Sequence, residues 1–152
     1  ISPEESLSQL PSQHFDVITM WHVLEHVPDF NLRIAELKKL LKPNGIIFVA
    51  VPNLDSPDAK KYGKYWAALD VPRHLHHFSP RSFEHVAKKN KLNLVEMVPM
   101  KMDAYYVSLL SEQYIQSNLS YLRAIFQGFK SNLKASKNNN YSSMIFVLKK
   151  EN

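Results

Sequence analysis

The chain has 152 residues, 45% hydrophobic and 22% charged, a size and composition suited to one domain with its own core. It has no cysteine, which excludes disulfides and thiolate chemistry, and no apolar run approaches the roughly 20 residues that cross a bilayer, so no membrane partner is expected and a cytoplasmic location is the default. The net charge of +5 is split into −5 over residues 1–37 (six acids, one base) and +10 over residues 38–152 (eighteen bases, eight acids), but the lysines stand singly or in pairs without interleaved aromatics, the mark of a solvated surface and not of a nucleic-acid footprint.

Residues 15–20 (FDVITM) form a short apolar run, the pattern of a strand buried on both faces of a parallel sheet. Asp29, after Pro28, stands at a helix start, and Phe30, Ile34, Leu37 and Leu41 recur at helical spacing toward Lys38, Lys39 and Lys42. Pro43-Asn44-Gly45 stops that helix, and residues 46–51 (IIFVAV) read as a second fully buried strand, completing a βαβ unit with the usual right-handed crossover. Residues 54–78 read as a long loop with short helical turns, and its Tyr62, Tyr65, Trp66 and Phe78 argue for a functional loop. Ser79-Pro80 opens a helix with apolar Phe83, Val86 and Ala87. Residues 92–100 give a third strand, placed at a sheet edge by Pro99. Residues 103–130 read as one or two amphipathic helices that pack in the core or cap a pocket. Residues 131–142 are polar and expected to be mobile, and residues 143–149 form the last strand. No repeat or second domain is evident.

Two histidine groups carry candidate chemistry. His22-Val-Leu-Glu25-His26 matches His-x-x-Glu-His, in which two histidines on one helical face bind zinc and the glutamate acts as base. Here a strand runs almost into His22, and Pro28 follows His26 by two residues, so at most one turn can form. A zinc metallopeptidase is the remote alternative. His74, His76 and His77 lie within four residues, but alternation along an extended segment sends His76 opposite to His77. No cysteine completes a ligand set, so no metal is assigned.

Three stretches in order, "FDVITMWHVLEHVPD", "LKKLLKPNGIIFVAVPN" and "DVPRHLHHFSPRSFEHVAKKNKL", resemble the C-terminal half of class I S-adenosylmethionine-dependent methyltransferases, in the branch of the ubiquinone-biosynthesis O-methyltransferases. The resemblance covers about residues 13–100. It implies an α/β, partial Rossmann-like sheet holding the family's fourth, fifth and sixth strands, with the seventh antiparallel between the fifth and sixth. The helices of 103–130 would be an insertion within a single domain, residues 1–152. The family's first three strands, with the glycine-rich cofactor turn and the ribose-binding acid, are then expected outside this chain. It would carry about half of a binding site and be inactive alone, and residues 15–20 would present an open edge for self-association.

The resemblance further implies S-adenosylmethionine as cofactor and a small-molecule acceptor. Met20, Trp21 and His22 would face the methionine end of the cofactor, while Tyr65, Trp66 and His26 would lie on the substrate side. His74 or His76 would take a proton from the acceptor, a role suited to a near-neutral pKa. Some ubiquinone-type relatives carry Glu-x-x-Glu-His as a metal site; His22 stands in the first position here. The rival reading is a non-catalytic interaction module, or a subunit completed by a partner.

Overall fold

The computed structural model describes Leu7 and residues 9–151; residues 1–6, which lack targeting character in sequence, lie outside the described part. Among the described residues four strands, β1 (Phe15–Trp21), β2 (Leu41–Pro52), β3 (Leu92–Met100) and β4 (Ser143–Lys150), form one sheet in the order β1-β2-β4-β3. β1 runs parallel to β2, and β4 is antiparallel to both β2 and β3. This is the expected α/β, partial Rossmann-like arrangement, with the last strand inserted antiparallel. Pro99 sits on β3, which pairs with β4 alone, so its missing N–H costs no ladder bond on the outer side.

Five helices among the described residues connect and cover the strands: α1 (Phe30–Leu40), α2 (Pro57–Tyr62), α3 (Pro80–Lys89), α4 (Asp103–Tyr114) and α5 (Ser120–Ala135). The Asp29 carboxylate caps α1 by accepting from the Leu32 N–H at 3.0 Å. Ser79 and Ser82 close a reciprocal capping box on α3, behind Pro80 at its first turn. The Lys38 ammonium of α1 donates to the Asn90 and Lys91 carbonyls just beyond α3, joining the two helices at α3's C-terminal dipole.

One sheet face is closed by α1 and α3. Ile47, Val49 and Val51 of β2 and Met144, Phe146 and Leu148 of β4 meet Ile34, Leu37, Phe83 and Val86 in a single core. Phe83 stacks on Phe146 at 3.9 Å between ring centroids and an angle of 11°, adding about 1 kcal/mol to what area burial gives. The expectation that β1 and β2 are buried on both faces is corrected here. Val17, Thr19 and Trp21 are exposed, and Ile46 and Phe48 beside them only half-buried, because no described helix covers that face. The Pro43-Asn44-Gly45 turn is also not the start of β2. It is an excursion inside the strand, between the Phe15–Leu41 and Val17–Ile46 pairings. A Cβ on Gly45 would lie 2.7 Å from the Leu41 side chain and 3.0 Å from the Asp16 carbonyl oxygen, so the fold-back admits glycine only.

Residues 54–78 form a strap with a small core of its own. α2 and two 3-10 turns (Gly63–Tyr65 and Ala67–Leu69) pack Tyr62, Trp66, Ala67 and Ala68 against Val107 of α4. At its centre the fully buried Asp58 carboxylate accepts three hydrogen bonds: from the Trp66 indole N–H at 2.8 Å, the Ser142 hydroxyl at 2.7 Å and the Ser131 hydroxyl at 2.7 Å. Residues 131–142, expected to be mobile, are drawn into the fold here, since α5 continues to Ala135 and buries Ser131. α5 lies close on α4, where a Cβ on Gly128 would stand 2.6 Å from the Tyr105 ring.

Asp58→Ala leaves a buried indole N–H and two hydroxyls without an acceptor and is expected to cost about 3 kcal/mol or more, read as a lower urea midpoint; a loss under about 1 kcal/mol contradicts the assignment. Tyr62 gives a pH-dependent counterpart. Burial, then its hydrogen bond to Glu112 at 2.9 Å, hold its hydroxyl well above the ordinary tyrosine range. Because the folded value is the raised one, this stability is complete below pH about 10 and falls as pH rises beyond it. The Tyr62 phenol should ionise only as the chain unfolds, seen as a delayed phenolate absorbance that Tyr62→Phe abolishes.

Candidate active site at the C-terminal ends of the strands

A cavity of about 420 Å³ opens where β1, β2 and β3 end and β4 begins, with His22, Pro52, Met100 and Ser143 on its wall. In open α/β sheets this is where ligands bind. The strap contributes Ala67, Ala68, Asp70, Arg73 and His74, and α4 contributes Asp103, Tyr106, Val107, Leu110 and Tyr114. The wall is therefore ionisable where His22, Asp103, Asp70, Arg73 and His74 gather, and mostly apolar along α4 beyond Asp103.

His22 ends β1 in the left-handed region (φ 51°), a conformation that costs a non-glycine residue free energy and must be held by its surroundings. Its N–H donates to the Ala50 carbonyl at 2.9 Å. Its ring lies between two carboxylates, Nδ1 at 3.3 Å from Glu25 Oε1 and Nε2 at 3.3 Å from Asp103 Oδ2. Hydrogen bonds to Asp103 and then Glu25 outweigh partial burial and raise its pKa from 6.5 to about 9, so His22 carries a positive charge at neutral pH.

The chain then makes a 3-10 turn over Leu24–His26, not a helix carrying His22 and His26 one turn apart. The zinc-peptidase geometry is therefore not built. What gathers instead is Glu25, His26 and His74, whose ligand atoms all lie within 4.8 Å of one another. His26 Nδ1 donates to the Arg73 carbonyl at 3.0 Å and His74 Nδ1 to the Ala68 carbonyl at 2.8 Å. Each ring thus keeps its Nε2 lone pair for another partner. Glu25 is 1% exposed and its Oε2 accepts no hydrogen bond. A buried carboxylate with one orphaned oxygen, grouped with two imidazoles that each keep a lone pair, fits a divalent cation. Sequence spacing could not supply this grouping, because His74 arrives from the strap.

The strap is pinned to the 3-10 turn by its backbone. The Leu75 and His76 N–H groups both donate to the Glu25 carbonyl, at 2.8 and 3.2 Å. Of the residues expected at the site, His22 and His74 line the cavity and His76 does not; His76 Nε2 donates to the Pro28 carbonyl at 3.1 Å and its ring lies edge-on to Phe30. Met20 is buried in the main core and Trp21 is half-exposed at the strand's end. Trp66 is 2% exposed inside the strap core, and Tyr65 points outward at 44% exposure; neither lines the cavity. Sequence reasoning missed Asp103, the second carboxylate on His22, and Arg73, which pairs with Asp70 at 2.6 Å on the strap side of the cavity. Asp103 opens α4 and bears no motif.

The model of a methyltransferase-domain family matches residues 2–97. The ubiquinone biosynthesis O-methyltransferase of Actinobacillus pleuropneumoniae serotype 7 (strain AP76) is 30% identical over 112 residues, covering 70% of this chain and 46% of that protein. The protein of the same name from Pasteurella multocida (strain Pm70) is 56% identical over 41 residues, 27% of this chain and 17% of that protein. This chain thus spans about half or less of the curated relatives it matches. The crystal structure of Burkholderia thailandensis 1,6-didemethyltoxoflavin-N1-methyltransferase, with bound 1,6-didemethyltoxoflavin and S-adenosylhomocysteine, superposes with a TM-score of 0.54 at 15% identity. That superposition covers 96% of this chain and 48% of that one, a likeness of fold. With β1, the 3-10 turn, β2, the strap and most of β3 inside the matched residues, the chain belongs to the methyltransferase-domain family.

Proposed function

We propose that this chain supplies the acceptor-side half of an S-adenosylmethionine-dependent methyltransferase site and that the acceptor is a small molecule held in the cavity beyond β1. The observation that carries the reading is the cavity itself. It lies over the strand ends, is closed by the strap and α4, and has a charged wall at His22 and an apolar one at Leu110 and Tyr114. The curated relatives are O-methyltransferases by name, which favours an oxygen acceptor.

S-adenosylmethionine, when bound, supplies an electrophilic sulfonium methyl. The work left to this chain is to hold the acceptor in line, exclude water and take up a proton. The His22 cation flanked by the Glu25 and Asp103 carboxylates leaves one negative charge at the lip of β1, favourable beside a sulfonium. It also ties α4 to the end of β1 and so fixes the cavity's width. His74 suits the proton-accepting role: Nδ1–H is committed to the Ala68 carbonyl, and Nε2 lies 3.9 Å from both Glu25 Oε1 and Asp70 Oδ2, which would stabilise the imidazolium once formed.

The orphaned Glu25 Oε2 favours a second reading of the same residues. Glu25, His26 and His74 would hold a divalent cation, which would lower the pKa of an acceptor hydroxyl and make a base unnecessary. In the complete protein, methyl label from S-adenosylmethionine is expected in the small-molecule fraction of a cell extract. His74→Gln should lower kcat about 100-fold or more while cofactor affinity stays unchanged. If His74 is the base, a chelator leaves wild-type turnover intact; if the cation reading holds, the chelator abolishes it and Glu25→Gln loses Mn²⁺ binding by electron paramagnetic resonance. Unchanged turnover in His74→Gln overturns both, and label confined to macromolecules overturns the small-molecule acceptor.

A further inference from the structure

α5 is divided lengthwise into three parts. Ala124, Gly128, Ser131 and Ala135 form the buried stripe that joins it to α4 and α2. At about 100° per residue, Leu122, Ile125, Phe126, Phe129 and Leu133 fall on a continuous face turned away from that stripe. They are 58–66% exposed. Arg123, Lys130 and Lys134, all exposed, run along the flank of the apolar face, and Lys137 follows just beyond the helix. Residues 113–148 contain these four bases and no acid.

A helix at a protein surface that serves only its own core shows the opposite pattern, apolar inward and polar outward. Here the inward stripe is made of small residues, and the large apolar residues point out. The face does not end at α5. A groove between α4 and α5, lined by Met102, Tyr106, Leu109, Tyr121 and Ile125, continues it. Tyr106 and Asp103 line both this groove and the cavity at the strand ends. The docking face and the candidate active site are therefore contiguous.

We propose that the α4–α5 hairpin docks on an anionic lipid bilayer, the outward face of α5 inserted at the headgroup level and the Arg123–Lys137 cations on lipid phosphates. Three features select that occupant. The cationic stripe beside the apolar face is complementary to an extended anionic partner; a second copy of this surface would bring apolar area and four more cations, but no anion. Aromatic and aliphatic side chains flanked by basic ones are the composition that settles at a membrane interface. No helix among the described residues is long and apolar enough to cross a membrane, and α5, at 16 residues, is suited to lying in the surface plane. The expectation that residues 103–130 turn an amphipathic apolar face to the core is corrected for α5, whose large apolar residues face out.

The test is flotation of the complete protein with vesicles of phosphatidylcholine, alone or with about a third phosphatidylglycerol. Bound protein floats with the lipid, whereas aggregated protein sediments. The chain should float with anionic vesicles, at least about 10-fold less with neutral ones, and bind less as salt rises. Lys130→Glu with Lys134→Glu should cut binding to anionic vesicles by about 10-fold or more, and Phe126→Gln with Phe129→Gln should do the same. All four side chains are exposed, so circular dichroism should be unchanged. Absence of flotation, equal binding to neutral vesicles, or full binding by the charge-reversed variant overturns the proposal. So does a concentration-dependent dimer that the phenylalanine variant dissolves without any change in flotation, which would assign the face to a second copy.

Discussion

The arrangement around the site depends on the buried carboxylate of Asp58. A carboxylate with no solvent contact is tolerable only when its oxygens are met by donors, and the three donors come from three parts of the chain: Trp66 in the strap, Ser131 on α5 and Ser142 at the threshold of β4. Each hydrogen bond to a charged group contributes on the order of 1.5–3 kcal/mol. Together they offset a desolvation cost of several kcal/mol and leave one arrangement that satisfies every partner. Fixing the strap to β4 lays Ala67 and Ala68 beside the cavity, and His74 hangs from the Ala68 carbonyl. Fixing α5 positions α4 beneath it, and with it Asp103. A single aspartate remote from the chemistry thus locates both ionisable walls.

His22 is the complementary constraint, on the sheet side. Its left-handed backbone costs about 1–3 kcal/mol and is held by the Ala50 carbonyl on one side and two carboxylates on the other. A glycine would relieve the strain but remove the cation. A lysine would keep a charge but could not bridge two carboxylates from one rigid ring. The position therefore trades backbone comfort for a fixed charge at the end of the first strand, a trade typical of a site rather than of a scaffold.

The fold was legible wherever a local rule and the tertiary fold agree. The Ser79-Pro80 helix start, Asp29 as a cap, Pro99 on an edge strand and the apolar runs at residues 15–20 and 46–51 all appear where period and turn chemistry put them. What misled was burial: an apolar run looks alike whether one face or both are covered, so Val17 and Trp21 gave no sign of their exposure. The site was half legible. His22 and His74 stand in conspicuous clusters, but the side chains that define their chemistry do not. Asp103 is one acid at a helix start, and Asp58 looks like an ordinary first-turn residue after Ser56-Pro57. Trp66 reads as a pocket aromatic because sequence cannot show that its indole is already committed to Asp58. Non-local hydrogen bonds carry this information, and no period records them.

The hairpin gives these local facts a common geometry. α4 faces the cavity with Asp103, Tyr106 and Leu110 and lines the groove against α5 with Tyr105 and Leu109, so a force on α5 has a path through α4 to His22. The α4–α5 contact is tight, with no room for a single methyl group at Gly128, and close-packed helices transmit displacement instead of absorbing it. Seating the outer face of α5 on a surface would then bear on the Asp103–His22 contact, one of the two that keep His22 charged. It would also turn the groove at Tyr106 toward that surface. Such seating would bear on the width and charge of the cavity through one helix, at Asp103.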